Sequence, residues 1–122
     1  MNGYTGNIER QTEENENYRE VLYTGPNMQL VVMALQAGEE IGMEKHDTHD
    51  QFFRIEQGEC RVVINGESSV LKDGEAAIVP AGAEHNVINT GEEVLKLYTI
   101  YAPPEHPAGT IHKTKADEPE HH

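Results

Sequence analysis

The chain has 122 residues, enough for one hydrophobic core and too few for two. Its 22 acidic residues outnumber 9 basic ones, and a formal charge of -13 opposes contact with phosphate backbones and anionic lipid. Nucleic acid and membrane are therefore not expected as partners, and with no apolar run of signal-peptide or membrane-span length a cytoplasmic protein is expected. Cys60 is the only cysteine, which excludes an intrachain disulfide and a thiolate metal cluster and reads as a small buried strand residue.

In chain order, residues 1–20 are polar, rich in Asn and Glu and without a clear period, and are expected to form a flexible N-terminal arm. Short β-branched runs follow over residues 21–102: REVLYT (begun within the arm), MQLVVMALQ, a stretch around 41–46, QFFRIEQ, CRVVIN, AAIVPA, HNVIN and VLKLYTIY. Turn residues punctuate them at Gly25-Pro26-Asn27, Gly38, Gly58, Asn65-Gly66, Asp73-Gly74, Gly82 and Gly91, the rhythm of an all-β sandwich or barrel. Asn65-Gly66, between CRVVI and ESSVL, predicts a two-residue hairpin, because a type I′ turn needs positive φ at both central positions. In MQLVVMAL both alternating sets are apolar, so both faces of that strand must be covered, either by the arm or by a second subunit; the second subunit is the favoured reading, giving a homodimer. Residues 103–122 hold four of the six prolines and are expected to form an extended C-terminal tail, with His106, His112, His121 and His122 in solvent.

The chemistry concentrates in two blocks. In GEAAIVPAGAEHNVIN, Pro80 can end one strand, Gly82 permits a tight turn, and His85 opens the next strand facing the interior with Val87. In GEEIGMEKHDTHDQFFRIEQG, side-chain alternation puts Glu44 and His46 on one face and Gln51, Phe53 and Ile55 on one face of the following strand, with Phe52, Arg54 and Glu56 turned outward. The segment Asp47-Thr48-His49-Asp50 then forms a solvated turn.

The spacing of Gly74, Pro80, Gly82, His85 and Asn89 fills every fixed position of the second motif of the cupin superfamily. Gly38, Glu44, His46, Gln51 and Gly58 keep the spacings of the first motif, with Glu44 in place of its first histidine and Gln51 in place of its glutamate. The chain thus resembles small single-domain cupins, in particular a bacterial cupin-2 or mannose-6-phosphate-isomerase-like subgroup. The resemblance implies a small antiparallel β-barrel or jelly roll, commonly a homodimer, and a metal held by Glu44, His46, Gln51 and His85. The usual site has three histidines and one glutamate; here two histidines, one glutamate and one glutamine preserve its single negative charge. Two imidazoles and two oxygen donors suit divalent Fe, Mn, Ni, Co or Zn and leave two positions of a six-coordinate ion for water or substrate. Two alternatives stay open: Gln51 as a hydrogen-bonding residue only, and His49 swinging in for Glu44 at a bulge. The expected function is a metal-dependent isomerase or oxygenase acting on a small polar, sugar-like or carbonyl/enol substrate, with Phe53, Ile55, Val87 and Tyr101 lining the site or simply forming core. The alternatives are a non-catalytic metal-dependent small-molecule binding protein and, last, a metal-free dimeric scaffold.

Overall fold

Period-two apolar patterning between turn residues folds, in the computed structural model, into ten antiparallel strands that the described residues, 3–119, arrange in two sheets. The strands are β1 (Arg19–Thr24), β2 (Gln29–Leu35), β3 (Glu44–Lys45), β4 (Asp50–Gln57), β5 (Glu59–Ile64), β6 (Glu67–Lys72), β7 (Ala76–Val79), β8 (Glu84–Asn89), β9 (Leu95–Ala102) and β10 (Ile111–His112). One sheet has the order β10-β1-β2-β9-β4-β7 and the other β3-β8-β5-β6. The fold is all-β, as expected. It is not a closed barrel: among the described residues no strand ladder joins the two sheets. Gly38 and Gly42, both at positive φ, interrupt the chain between β2 and β3, so that crossing keeps only an isolated bridge, Glu40 to Ile88, and the two-residue β3.

The two sheets share one core, to which Val31, Met33, Leu35, Phe53, Ile55, Val62, Val87, Leu95, Leu97 and Tyr101 contribute. The β5–β6 hairpin turns at Asn65 and Gly66 with φ of 49° and 85°, the two positive values a type I′ turn demands. On β4, Gln51, Phe53 and Ile55 are buried and Phe52 and Arg54 half-buried, in line with alternation. Glu56, read as outward, is buried, because a register shift between Ile55 and Gln57 breaks the alternation there.

Two segments are more ordered than their composition foretells. Residues Ile8–Glu14 form a helix, α1, where only an arm without period is legible. Asn7 caps it by accepting from the Arg10 amide at 3.0 Å, Thr12 is its one buried residue, and the Lys96 ammonium donates to the carbonyl of Asn15 at its C-terminal end. This helix packs across β9, β4 and β2. On the outer apolar face of β2, Val32 and Ala34 are accordingly buried within the single chain, while Leu30 is half-buried and Met28, just before the strand, is 48% exposed.

The tail is tied down as well. β10 pairs with β1, and a 3₁₀ turn, Lys115–Asp117, follows it. The fully buried side chain of Gln29 acts as a clamp: its Oε1 accepts from the amides of Glu105 (3.1 Å) and His106 (3.0 Å), and its Nε2 donates to the His106 carbonyl (2.7 Å). His106 and His112 are half-buried and partnered rather than solvated, His106 against Tyr101 and His112 against Arg19. His121 and His122 lie outside the described residues.

Candidate metal centre

The turn that delivers His85 is built from small residues. Pro80 follows the last residue of β7, the Ala83 amide bonds the Pro80 carbonyl at 3.1 Å, and Gly82, at φ +87°, donates its amide to the carbonyl of His46 at 2.9 Å. That last bond stitches the first histidine block to the second. β3 then pairs Glu44 directly with His85, placing both side chains on one face. Gln51 enters from the opposite sheet, beside Tyr101 in the β4–β9 register.

The ligand atoms of Glu44, His46 and His85 lie within 4.8 Å of one another. His85 presents Nδ1 to the Ala83 carbonyl at 3.2 Å, which assigns the proton to Nδ1 and leaves a lone pair on Nε2. Gln51 donates from Nε2 to Thr99 Oγ1 at 3.0 Å, leaving Oε1. His46 presents Nδ1 to Glu105 Oε1 at 3.6 Å, leaving Nε2 at 3.5 Å from Glu44 Oε1. His85 Nε2 and Gln51 Oε1 are buried without a hydrogen-bond partner, and His46 Nε2 faces the Glu44 carboxylate at 3.5 Å. Polar atoms left unsatisfied in a protein interior are costly, and two imidazoles converging on one buried carboxylate describe a cradle for a cation. Two imidazoles, one carboxylate and one amide oxygen are a donor set that fits a divalent transition metal.

Glu105 was not legible in the sequence; it sits in the proline-rich tail and reaches the site only because Gln29 holds its backbone. His49, read as part of a solvated turn, is half-buried instead. Strand β3 ends at Lys45, so alternation does not govern His49, and its ring lies 5.6 Å from that of His46. His49 Nε2 is 3.1 Å from the Pro104 carbonyl and 3.4 Å from Glu105 Oε1, so His46, His49 and Glu105 form a second cluster that shares His46. An open surface depression of ≈ 910 Å³ lies elsewhere, between Gly58, Glu59, Lys72, Asp73 and the turn at 90–93.

Burial pushes the Glu44 carboxyl up, but hydrogen bonding and charge from His46, with Arg19 and His85 behind it, outweigh that and hold it below its ordinary value. The same interaction raises His46, against burial and with help from Glu105. His85 is lowered by burial, only partly offset by its bond to Ala83. The signs set a window for the metal-free protein. A lowered Glu44 contributes stability above its ordinary 4.5 that fades as pH falls through the folded value; a raised His46 contributes stability below its ordinary 6.5 that fades as pH rises through the folded value. Chelator-treated wild type should therefore exceed Glu44→Gln in melting temperature most clearly between 4.5 and 6.5. Thermal melts at about pH 5.5 and about pH 9 check this, and a gap that widens toward pH 9 would be inconsistent with a Glu44–His46 ion pair.

An all-β fold of two facing sheets with a histidine–carboxylate–amide cluster between them defines a jelly-roll domain of the cupin class. The chain belongs to the cupin family: the Cupin domain matches residues 31–101. It is 50% identical over 117 residues to YrkC of Bacillus subtilis, described as uncharacterized, covering 91% of this chain and 63% of that protein. The chain thus spans a little under two thirds of that relative's length. The crystal structure of BH2720 from Bacillus halodurans superimposes with a TM-score of 0.92 at 45% identity, covering 93% of this chain and 91% of that one. The pectin degradation protein KdgF of Dickeya dadantii is 30% identical over 74 residues, covering 61% of this chain and 67% of that protein.

Proposed function

We propose that Glu44, His46, Gln51 and His85 hold one divalent ion of Fe, Mn, Ni, Co or Zn, and that the protein catalyses an isomerase-type proton transfer on a small polar substrate carrying a carbonyl or enol. The observation that carries the metal assignment is the convergence of Glu44, His46 and His85 within 4.8 Å of one another, with Gln51 Oε1 buried and unpartnered on the facing sheet. Calcium and magnesium, which prefer all-oxygen shells, are disfavoured by the two imidazoles.

When bound, such an ion supplies Lewis-acid polarisation of a carbonyl, which acidifies the neighbouring C–H. The residues supply the rest. Glu105, half-buried and fixed through its backbone by Gln29, is placed to accept that proton, and His49, 3.4 Å away, is placed to relay it toward solvent. Tyr101, raised by burial, stays a neutral phenol and forms a wall 6.0 Å from the His46 ring. A carboxylate–histidine pair beside His46 is what proton transfer requires and oxygenation does not, which favours the isomerase over the oxygenase. The likeness to KdgF, named for pectin degradation, supports a sugar-derived substrate.

The test is solvent exchange. Protein loaded with Mn(II), Fe(II) or Zn(II) is incubated in D₂O with hydroxy-ketoses, sugar phosphates and uronates, and deuterium entry at carbon is followed by proton NMR. Exchange should require metal and fall by roughly 10²–10⁴ in Glu105→Gln, while metal affinity falls no more than about tenfold. Ligands that bind through the metal yet never exchange would replace this reading with that of a non-catalytic binding protein.

A further inference from the structure

β3 is two residues long, and its register decides which side chain meets His85. Upstream, Glu40 bridges Ile88 and the Ile41 amide donates to the Val87 carbonyl at 2.9 Å, so Ile41, 5% exposed, faces the interior with Val87. Carried on for three residues, that register would set Met43 opposite His85 and turn Glu44 outward. The observed partner of His85 is Glu44. Met43 is 58% exposed, whereas the Glu44 side chain is 15% exposed. One extra residue is therefore taken up between Ile41 and Glu44, a bulge that exchanges the inward residue.

The bulge falls at Gly42, which stands at φ +104°. Among the described residues a Cβ there would meet no atom within 4 Å, so glycine is required by conformation and not by space. A bulge leaves an amide outside the ladder, and the Asn86 side chain takes it. Its Oδ1 accepts from the Gly42 amide at 2.8 Å, and its Nδ2 donates to Glu40 Oε1 at 3.0 Å. Asn86 is 6% exposed and follows His85 on β8, so both ends of a buried amide are committed to the segment that leads into Glu44. An apolar side chain in its place would leave the Gly42 amide without that acceptor, which disfavours the bulge.

We propose that Asn86 is a positioning residue: by holding Gly42 in the bulge it sets Glu44, and not Met43, opposite His85. A carboxylate at that place gives the cage its negative charge and suits a divalent ion, where a thioether would suit a soft monovalent one. The consequence for the cation rests on the metal reading above; the register itself does not.

Two readouts test it, one of them without metal. In chelator-treated protein the thiol introduced by Met43→Cys should alkylate readily with iodoacetamide, Cys60 being buried. Adding Asn86→Ala should slow that alkylation by at least about tenfold, as the strand slips by one residue and position 43 turns inward. In zinc titrations of the otherwise native chain Asn86→Ala should lower affinity by roughly 10- to 100-fold, and adding Glu44→Ala to it should cause no more than about a twofold further loss. Asn86→Asp combined with Glu40→Gln keeps an acceptor for the Gly42 amide and reverses the polarity of the second bond; it should restore zinc affinity to within about threefold of wild type. Should Asn86→Ala fail to fold, Gly42→Ala replaces it with the same slowed alkylation and weakened zinc binding expected, since its methyl meets open space and only the positive φ is disfavoured. Alkylation as fast with the variant as without it, or zinc losses that add to that of Glu44→Ala, would overturn the proposal, as would a reversed pair no better than Asn86→Ala. Slowed alkylation in a protein that binds no zinc would strike the metal reading alone.

Discussion

His85→Ala is expected to lower zinc affinity by ~100-fold or more, since loss even of a supporting residue around a metal ligand costs 10- to 100-fold and His85 is proposed as a ligand itself. His85 is 2% exposed, its Nδ1 is committed to Ala83, and its Nε2 faces Glu44 and His46. Among the described residues His46 already contributes and His49 is engaged with Pro104 and Glu105, so neither replaces that lone pair. The comparison with His49→Ala is therefore informative: it should keep zinc affinity within about tenfold of wild type. The reverse ranking would install His49 in the cage and make the second cluster, with Glu105, the true site. Thermal shift gives an independent readout, since zinc stabilises a folded binding protein by mass action and should cease to do so in His85→Ala.

Phe53→Ala is expected to cost about 3–5 kcal/mol of folding free energy, measured by urea unfolding. Phe53 is 1% exposed, sits between Gln51 and Ile55 on the inner face of β4, and pairs across the sheet with Thr99 and Ala77. Its ring centre is 6.3 Å from that of His85, so it forms part of the floor on which the second histidine rests. Sequence alone left Phe53 between two roles, pocket wall and core. Burial on this scale assigns it to the core, and a loss under about 1 kcal/mol would return it to the pocket wall.

These expectations draw on features of unequal visibility in the sequence. Strand alternation made the inner face of β4 plain, and Asn65-Gly66 named its own turn. Glu44, His46, Gln51 and His85 could be picked out because short-range spacing, two residues along a strand or a turn between strands, decides which side chains face together. Long-range closure decided the rest. Glu105 looked like any tail carboxylate, and only the buried amide of Gln29, itself unremarked at the start of β2, brings it to His46. Arg19 seemed an ordinary strand residue because its burial depends on Glu118 and His112 from the other end of the chain. α1 is not legible because seven residues with a single buried side chain, Thr12, carry no apolar period, although the helix packs across β9, β4 and β2. Glu56 was misplaced for a different reason, the bulge that resets alternation after Ile55.

The cation cradle between the sheets is most directly tested by anomalous diffraction from crystals grown with zinc or manganese and no chelator. A single anomalous peak bonded to His46 Nε2, His85 Nε2, the Glu44 carboxylate and Gln51 Oε1 is the predicted result. A peak bonded to His46 Nδ1, His49 and Glu105, or none near His46 at all, would contradict it.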